Sequence, residues 1–325
     1  MIFKQTIIAA ATFAVLLSSP FAYAKENQDP DAAHCVFGYA PPKDDLQQRI
    51  DACTRVIKKG LNAGKGYEVS WALNTRGTLN IDSGKKVLAF TDFNDAIRYD
   101  KNQTYAYVNR GNLYFDDKDY DRALEDFTRQ LAIDPKRKED SVSASAHNGI
   151  GKVLATKRQC EQAIVEFTKA IDLSANVESY WWRRGDAYYG CKKYDQATAD
   201  FSKAIDLEAS ADNYWRRGYT LQKLDRWNDA ASDFARVAEM QPQNGRALNQ
   251  QAWSLVHAGK SAEALPVVQK ALALLPKDAN TIDTLAHVYE ALERKDEAIL
   301  EYRRALSIKP DLQESKDGLK RLGVE

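Results

Sequence analysis

The chain has 325 residues, of which 44% are hydrophobic and 28% are charged, and its 46 basic residues balance its 46 acidic residues. A nucleic-acid-binding surface needs a basic excess, so the composition gives no reason to expect a nucleic-acid partner. The apolar content is sufficient for a continuous core, as in an ordinary globular helical protein.

The N-terminal residues predict a secretory signal peptide at residues 1–24. Lys4 precedes an apolar run at residues 7–17, and the small-residue site Ala22-Tyr23-Ala24 follows. The apolar run is about half of the roughly 20 residues that span a bilayer. We therefore expect cleavage after Ala24, no stable membrane insertion afterwards, and a periplasmic or secreted location of the bacterial type.

Residues 25–69 are less regular than the rest of the chain. Leu46, Ile50, Cys53 and Ile57 have helical spacing and predict one helix within residues 44–58. We interpret this segment as an N-terminal cap with a half-repeat helix, joined to the following residues by a glycine-rich linker at residues 60–66.

A small residue then recurs along the chain at nearly constant distances. It occupies Gly77, Gly111, Gly151, Gly185, Gly218, Ala252 and Ala286. The successive intervals are 34, 40, 34, 33, 34 and 34 residues, and the extra residues of the second interval fall around positions 136–143. A second set, for example Ala197, Phe201 and Ala204, repeats in step with the first.

This pattern resembles the tetratricopeptide repeat, a 34-residue helix-turn-helix unit. The resemblance implies an all-α fold in which about seven repeats at residues 70–310 stack as a right-handed superhelical solenoid. In such a unit the glycine of the first helix lets the second helix approach, and a phenylalanine such as Phe201 fills the space beside it. Residues 311–325 carry leucines among charges, which predicts a solvating C-terminal helix.

Four cysteines, Cys35, Cys53, Cys160 and Cys191, remain after cleavage. An even number in an exported protein predicts two disulfides with three possible connectivities, and four free thiols are the alternative. In the repeat register, Cys160 lies in the turn of the third unit and Cys191 ends the first helix of the fourth. Because corresponding turns of adjacent units are neighbours, we predict the pairs Cys160–Cys191 and Cys35–Cys53.

The resemblance also implies that the first helices line a concave groove. The candidate binding residues occupy the inward positions of these helices: Asn74, Asn109, Asn112, Asn148, Trp182, Arg183, Asp186, Trp215, Arg216, Tyr219, Asn249, Gln250 and Trp253. Amides hydrogen-bond a peptide backbone, arginine forks onto a carboxylate, and tryptophan offers a large rigid contact area. We expect Arg183 and Arg216 to form an exposed basic pair that binds a carboxylate.

The peptide clamp of certain chaperone-binding members, a Lys/Asn/Asn/Lys/Arg set that grips a C-terminal carboxylate, is not reproduced. Its positions hold Asn74, Thr78, Asn109, Ser145 and Gly149, so only the central Asn109 is kept. Carboxylate-clamp function is therefore not carried over to this chain.

No arrangement of residues predicts a catalytic, metal or cofactor site. The histidines His34, His147, His257 and His287 are scattered without partners at metal-ligand spacing. We predict a non-enzymatic scaffold that binds a partner protein or an extended peptide in the groove. The alternative is a cell-envelope protein that handles a polysaccharide, because tryptophan faces with neighbouring polar side chains also suit sugar rings.

Overall fold

The computed structural model describes residues 29–37, 46–133 and 141–324, and within these ranges it contains seventeen α-helices and no β-strand. In chain order the helices are α1 Pro30–Phe37, α2 Leu46–Asn62, α3 Gly66–Asp82, α4 Lys86–Tyr99, α5 Thr104–Asp116, α6 Tyr120–Ile133, α7 Ser141–Thr156, α8 Cys160–Leu173, α9 Glu178–Gly190, α10 Tyr194–Leu207, α11 Ala211–Gln222, α12 Trp227–Met240, α13 Gly245–His257, α14 Ser261–Leu274, α15 Ala279–Ala291, α16 Lys295–Ile308 and α17 Gln313–Arg321. The predicted all-α fold is confirmed. The predicted signal peptide and residues 134–140 of the predicted insertion lie outside the described residues.

The chain divides into two compact units, residues 1–153 and residues 154–325. Unit 1 contains α1 to α6 and most of α7, and unit 2 contains the last residues of α7 and the helices from α8 onwards. In both units, helices pack in helix-turn-helix pairs, and the turns described within these pairs are short, as the repeat pattern predicts. Within the described ranges, we find no helix with the length and apolar character needed to span a membrane.

A contact between glycine and phenylalanine brings the two helices of a pair together. A Cβ atom on Gly185 of α9 would lie 3.0 Å from Cε1 of Phe201 in α10, and one on Gly77 of α3 would lie 2.5 Å from Cε1 of Phe93 in α4. Both phenylalanines are buried. The predicted contact is confirmed, because the missing side chain is what allows the second helix its close approach.

The turn inside each helix pair includes one residue in the left-handed backbone region. Glycine takes this position at Gly84 and Gly259, with φ of 72° and 74°. Five other turns use a larger residue there: Lys118, Arg158, Lys192, Asp225 and Glu293. Left-handed backbone costs a residue with a side chain about 1–2 kcal/mol, so packing of the helix pair imposes this conformation even where glycine is absent.

The N-terminal segment differs from its prediction at residues 60–66. Helix α2 continues to Asn62 and α3 already begins at Gly66, so only three residues connect them. A Cβ atom on Gly60 would lie 2.7 Å from a methyl carbon of Val69, which makes this glycine a helix-contact residue and not part of a linker. The Cys35–Cys53 disulfide joins α1 to α2, as predicted.

Helix α17 covers the last helix pair of unit 2. Its Gly318 lies against the ring of Tyr302 in α16, and Leu319 is 8% exposed. The charged residues of α17, for example Lys320 and Arg321, are exposed. A helix with one buried and one charged face is the expected end of a repeat array, because the last pair would otherwise leave its apolar face in water.

Candidate functional site

The candidate binding residues are distributed over both units. Four amides, Asn74, Asn109, Asn112 and Asn148, belong to unit 1. The other nine belong to unit 2: Trp182, Arg183, Asp186, Trp215, Arg216, Tyr219, Asn249, Gln250 and Trp253. All of them lie on first helices of the predicted repeats.

In unit 1, two of the four candidate amides bond to each other. Nδ2 of Asn109 in α5 donates to Oδ1 of Asn74 in α3 at 3.0 Å. Oδ1 of Asn148 in α7 is buried and has no hydrogen-bond partner among the described residues. The neighbouring Gly149 has a structural reason to lack a side chain, since a Cβ atom there would lie 2.5 Å from the ring of Phe127.

In unit 2, six candidate residues form a cluster on α9 and α11, which we name the α9–α11 cluster: Trp182, Arg183, Asp186, Trp215, Arg216 and Tyr219. Nη1 of Arg216 lies 3.0 Å from Oδ1 of Asp186, and the Arg216 guanidinium lies 5.3 Å from the centre of the Trp182 ring. Arg216 is exposed, as expected, but its charge is already paired. A carboxylate that binds at Arg216 would therefore compete with Asp186.

Arg183 is more buried than the sequence predicted. Its side chain is partly buried, and its Nε atom is enclosed without a hydrogen-bond partner among the described residues. Burial lowers the pKa of Arg183, although Glu178 and Asp186 act to raise it. Arg183 is thus a desolvated cation with unused hydrogen-bonding capacity, whereas the sequence predicted a solvent-exposed one.

Nε of Arg183 makes no hydrogen bond to Glu178 within the described part of the chain. Burial raises the pKa of Glu178, while its hydrogen bond with Asn213 acts in the other direction. Asp186 is engaged by Arg216. Both carboxylates near Arg183 therefore have another hydrogen-bonding partner on α11.

The aromatic members of the cluster pack against the helix pair that carries them. Trp215 and Tyr219 lie 5.5 and 5.3 Å from the ring of Phe234, both edge to face. Burial raises the pKa of Tyr219. Both side chains are partly exposed, so one edge of each ring contributes to the core and the other faces solvent.

The remaining candidates lie on α13. Asn249 is only 7% exposed, and its Oδ1 atom has no hydrogen-bond partner among the described residues. Gln250 accepts a hydrogen bond from Nε2 of Gln222 at 3.2 Å. Trp253 is in ring contact with His257 and His287, at 4.2 and 5.1 Å between centroids.

A repeated arginine–aspartate pair is a feature that the sequence reasoning missed. The pairs are Arg76–Asp92, Arg110–Asp126, Arg184–Asp200 and Arg217–Asp233. Each arginine also donates to a side-chain oxygen of the preceding second helix, as Arg184 does to Thr168 at 3.1 Å. The signal is an Arg-Gly dipeptide 16 residues before an Asp-Phe dipeptide, which is visible in the printed sequence.

A second missed feature is a polar cluster beneath α17. Nδ1 of His287 lies 3.3 Å from Oδ2 of Asp283, and Arg321 of α17 pairs with Glu290 at 2.8 Å. Burial opposes protonation of His287, but the hydrogen bond and charge of Asp283 outweigh it and raise its pKa. Glu290 also accepts a hydrogen bond from Tyr302. These contacts attach α17 to the last helix pair.

The described residues include no group of three or more metal-ligating side chains. The side chains of the α9–α11 cluster are suited to binding a ligand. They include the guanidinium of Arg183, whose Nε lacks a hydrogen-bond partner among the described residues, the ion-paired guanidinium of Arg216, and three partly exposed aromatic rings.

Sequence profiles described as tetratricopeptide repeat match residues 104–137, 178–210, 216–279 and 279–312, which together make up half of the chain.

Two curated proteins are similar over part of their length. Tetratricopeptide repeat protein 6 of Homo sapiens is 34% identical over 64 residues, covering 20% of this chain and 12% of that protein. The DnaJ homolog subfamily C member 7 homolog of Dictyostelium discoideum is 23% identical over 170 residues, covering 49% of this chain and 25% of that protein. The chain thus spans a quarter or less of these relatives.

Solved structures of tetratricopeptide repeat proteins share the fold. YrrB, described as a tetratricopeptide repeat protein with an unusual peptide-binding site, has a TM-score of 0.53 at 22% identity, covering 61% of this chain and 99% of YrrB. The C-terminal part of a tetratricopeptide repeat protein of Cytophaga hutchinsonii has a TM-score of 0.58 at 21% identity, covering 75% of this chain and 98% of that one. At these identities the likeness concerns the fold alone.

Proposed function

The chain belongs to the tetratricopeptide repeat family, and from this premise we propose that it is a non-enzymatic scaffold that binds an extended segment of a partner protein. Arrays of this family commonly serve as protein–protein interaction scaffolds and are generally not enzymes. Within the proposal, residues 25–69 form an N-terminal cap, residues 70–310 the repeat array, and residues 311–325 the terminal helix.

The observation that carries the proposal is the state of Arg183 in the α9–α11 cluster. A desolvated guanidinium whose Nε has no partner is unfavourable in the free protein. A carboxylate of the partner that contacts the partly exposed Arg183 side chain would supply a counter-charge, and hydrogen bonds to charged groups contribute about 1.5–3 kcal/mol. Arg183 is therefore the proposed anchor, with Trp182 and Tyr219 as neighbouring contact surface.

The two helices that carry this cluster are held in place, so a ligand can bind without moving them. Arg184 and Arg217, next in sequence to Arg183 and Arg216, are fixed by Asp200 and Asp233 at 2.7 Å. The two cluster helices are thus each held to a second helix by a buried ion pair. Sites on rigid elements lose less entropy when the ligand binds.

A polypeptide is favoured over a polysaccharide because each indole ring, although partly exposed, already has a partner within the protein. Trp182 lies beside the Arg216 guanidinium, Trp215 packs on Phe234, and Trp253 is in contact with two histidines. Sugar stacking needs an open ring face, whereas a carboxylate contact at Arg183 does not.

We also propose that the protein is exported. The sequence of residues 1–24 motivates this, and two disulfides support it because they persist in oxidising compartments. N-terminal sequencing of the native protein should begin at Lys25. Recovery of an intact Met1 from the cytosol would contradict export.

To test the binding proposal, the partner is captured from the native envelope fraction, its bound segment is mapped by protection from proteolysis, and that segment is synthesised as a peptide. The Kd of this peptide is then compared for Arg183→Met, Arg216→Met and the exposed control Arg303→Met. We expect a loss of at least about tenfold for Arg183→Met, since about 1.4 kcal/mol is one decade. The loss for Arg216→Met should be smaller because Asp186 already uses its charge.

The control Arg303→Met should bind like the unmodified protein, and thermal melting should show that all variants fold. Equal affinities for Arg183→Met and the unmodified protein would contradict the anchor. Capture of a glycan whose binding depends on Trp182 and Trp215 and not on Arg183 would replace the proposal by the polysaccharide alternative.

A further inference from the structure

The two disulfides differ in how far they are shielded from solvent. Cys35 and Cys53 are both 0% exposed, between α1 and α2. Cys160 and Cys191 are both partly exposed, and each lies at a turn: Cys160 is the first residue of α8 and Cys191 directly follows α9. The second disulfide is thus more accessible to a reagent in the folded protein than the first, although Cys191 also packs against the core residues around Phe167.

The surroundings of the exposed disulfide are basic. Lys157 and Arg158 precede Cys160 by a few residues, and Lys192 and Lys193 follow Cys191. The acidic neighbour Glu161 is paired with Lys193 at 2.8 Å. Positive charge next to a disulfide attracts an attacking thiolate and stabilises the thiolate that leaves.

The two sulfur atoms are not equivalent as leaving groups. Cys160 begins a helix of 14 residues, α8, whose first N–H groups lack partners within the helix. The positive end of the helix dipole therefore favours a thiolate at Cys160. Cys191 follows the end of α9, where the dipole has the opposite sign.

From these contrasts we propose that Cys160–Cys191 is an exchangeable disulfide. It is a site for thiol–disulfide exchange with a protein dithiol of the Cys-x-x-Cys class. The Cys35–Cys53 disulfide, in contrast, is structural. The attacking thiolate forms a new S–S bond to Cys191 Sγ, and Cys160 Sγ leaves with the electron pair of the broken bond. The second thiol of the partner then displaces Cys191. In total two electrons and two protons pass to the protein, and the partner dithiol becomes a disulfide.

The fold around this disulfide does not depend on it alone. The ion pair between Lys193 and Glu161 and the hydrogen bond from Arg184 to Thr168 also connect α8 to the following helices. We therefore expect the reduced protein to keep its helices at ambient temperature, which allows exchange to be reversible.

The first test measures reduction of the folded protein by dithiothreitol. Samples are quenched with acid, free thiols are alkylated, and peptide mass spectrometry follows each pair over time. We expect Cys160 and Cys191 to be alkylated at least about tenfold faster than Cys35 and Cys53, because exchange at the buried pair must wait for local opening. Circular dichroism monitors the helices throughout.

A second test identifies the sulfur that is attacked, using glutathione as a monothiol probe. The expected mixed disulfide carries glutathione on Cys191 and leaves Cys160 free for alkylation. The variant Cys160→Ser with Cys191→Ser is the matched control, and it should show no fast phase. Equal reduction rates for the two pairs, faster reduction of Cys35–Cys53, or glutathione mainly on Cys160 would each overturn the proposal. These outcomes do not bear on the α9–α11 cluster, whose partner binding is measured separately.

Discussion

The turn between the helices of one repeat is linked to the next repeat in two chemically different ways in the two units. In unit 1, Lys86 at the start of α4 bonds to Asp117 after α5 at 2.5 Å, and the two residues are 31 positions apart. In unit 2, Cys160 at the start of α8 bonds to Cys191 after α9, also 31 positions apart. The repeat register thus brings the same two backbone positions together, and the residue types decide the link.

A related contact occurs later in unit 2. Trp227, the first residue of α12, contacts His257 at the end of α13, with 4.5 Å between ring centroids, although His257 lies one position before the equivalent of Cys191. The repeat geometry supplies the proximity in every case. What differs is the energy: a disulfide restricts the unfolded chain, whereas exposed ion pairs contribute about 0–1 kcal/mol.

The largest expected effect comes from removing the covalent link. The variant Cys160→Ser with Cys191→Ser should lose about 3–4 kcal/mol of unfolding free energy, by the chain-entropy estimate for a loop of this length. Urea titration of the oxidised protein and of the variant measures the difference. A loss below about 1 kcal/mol would place the disulfide in the same class as the exposed ion pair.

The sequence predicted the positions of these links better than their surroundings. The glycine period aligned Cys160 with Cys191 because register alone determines which turns meet. Burial of Arg183 could not be read in the same way, since it depends on the side chains packed around one helix face. Gly149 illustrates this in unit 1, where an inward position is filled by the ring of Phe127.

The repeated pair Arg184–Asp200 was in principle readable, because the 16-residue spacing recurs in four repeats. Charged residues on helices are usually solvated, so the sequence alone does not distinguish these four ion pairs from the many other charged residues. Its function in holding neighbouring helices follows only from the burial of Asp200, which is 4% exposed.

Breaking that buried pair should be the next largest effect. Asp200→Ala leaves Arg184 partly buried without its carboxylate, and we expect a loss of about 3 kcal/mol, at the low end for buried pairs because Arg184 keeps some exposure. The double variant Arg184→Met with Asp200→Leu should be much less affected, since no charge is left unpaired. Equal losses in the single and double variants would contradict this account.

The comparison between the two turn links can be tested directly by exchanging their chemistry. Lys86→Cys with Asp117→Cys should form a disulfide, because these positions correspond to Cys160 and Cys191. We expect a gain of about 2–3 kcal/mol, somewhat below the chain-entropy estimate, as is usual for engineered disulfides. Mass spectrometry detects the bond and urea titration the gain.

The matched control is Lys86→Ala with Asp117→Ala, which should cost at most about 1 kcal/mol. Free thiols in the cysteine variant under oxidising conditions would mean that the two turns do not share one geometry.

The smallest expected effect concerns the contact between His287 and Asp283, whose strength depends on pH, unlike that of the Cys160–Cys191 disulfide. The folded-state pKa of His287 is raised, because pairing with Asp283 outweighs burial. A raised pKa means that protonation stabilises the folded state: the contribution is fully present below the unfolded value of about 6.5 and is lost as pH rises through the folded pKa. The stability difference between the unmodified protein and His287→Gln should therefore decrease from pH 5.5 to pH 8.5.

The pKa of Glu290 is lowered from 4.5, so this carboxylate titrates below the pH range of the experiment. Melting curves of both proteins across the range measure the difference, and a difference that grows with pH would show that contact with Arg321, which lies 3.3 Å from Nε2 of His287, outweighs that with Asp283.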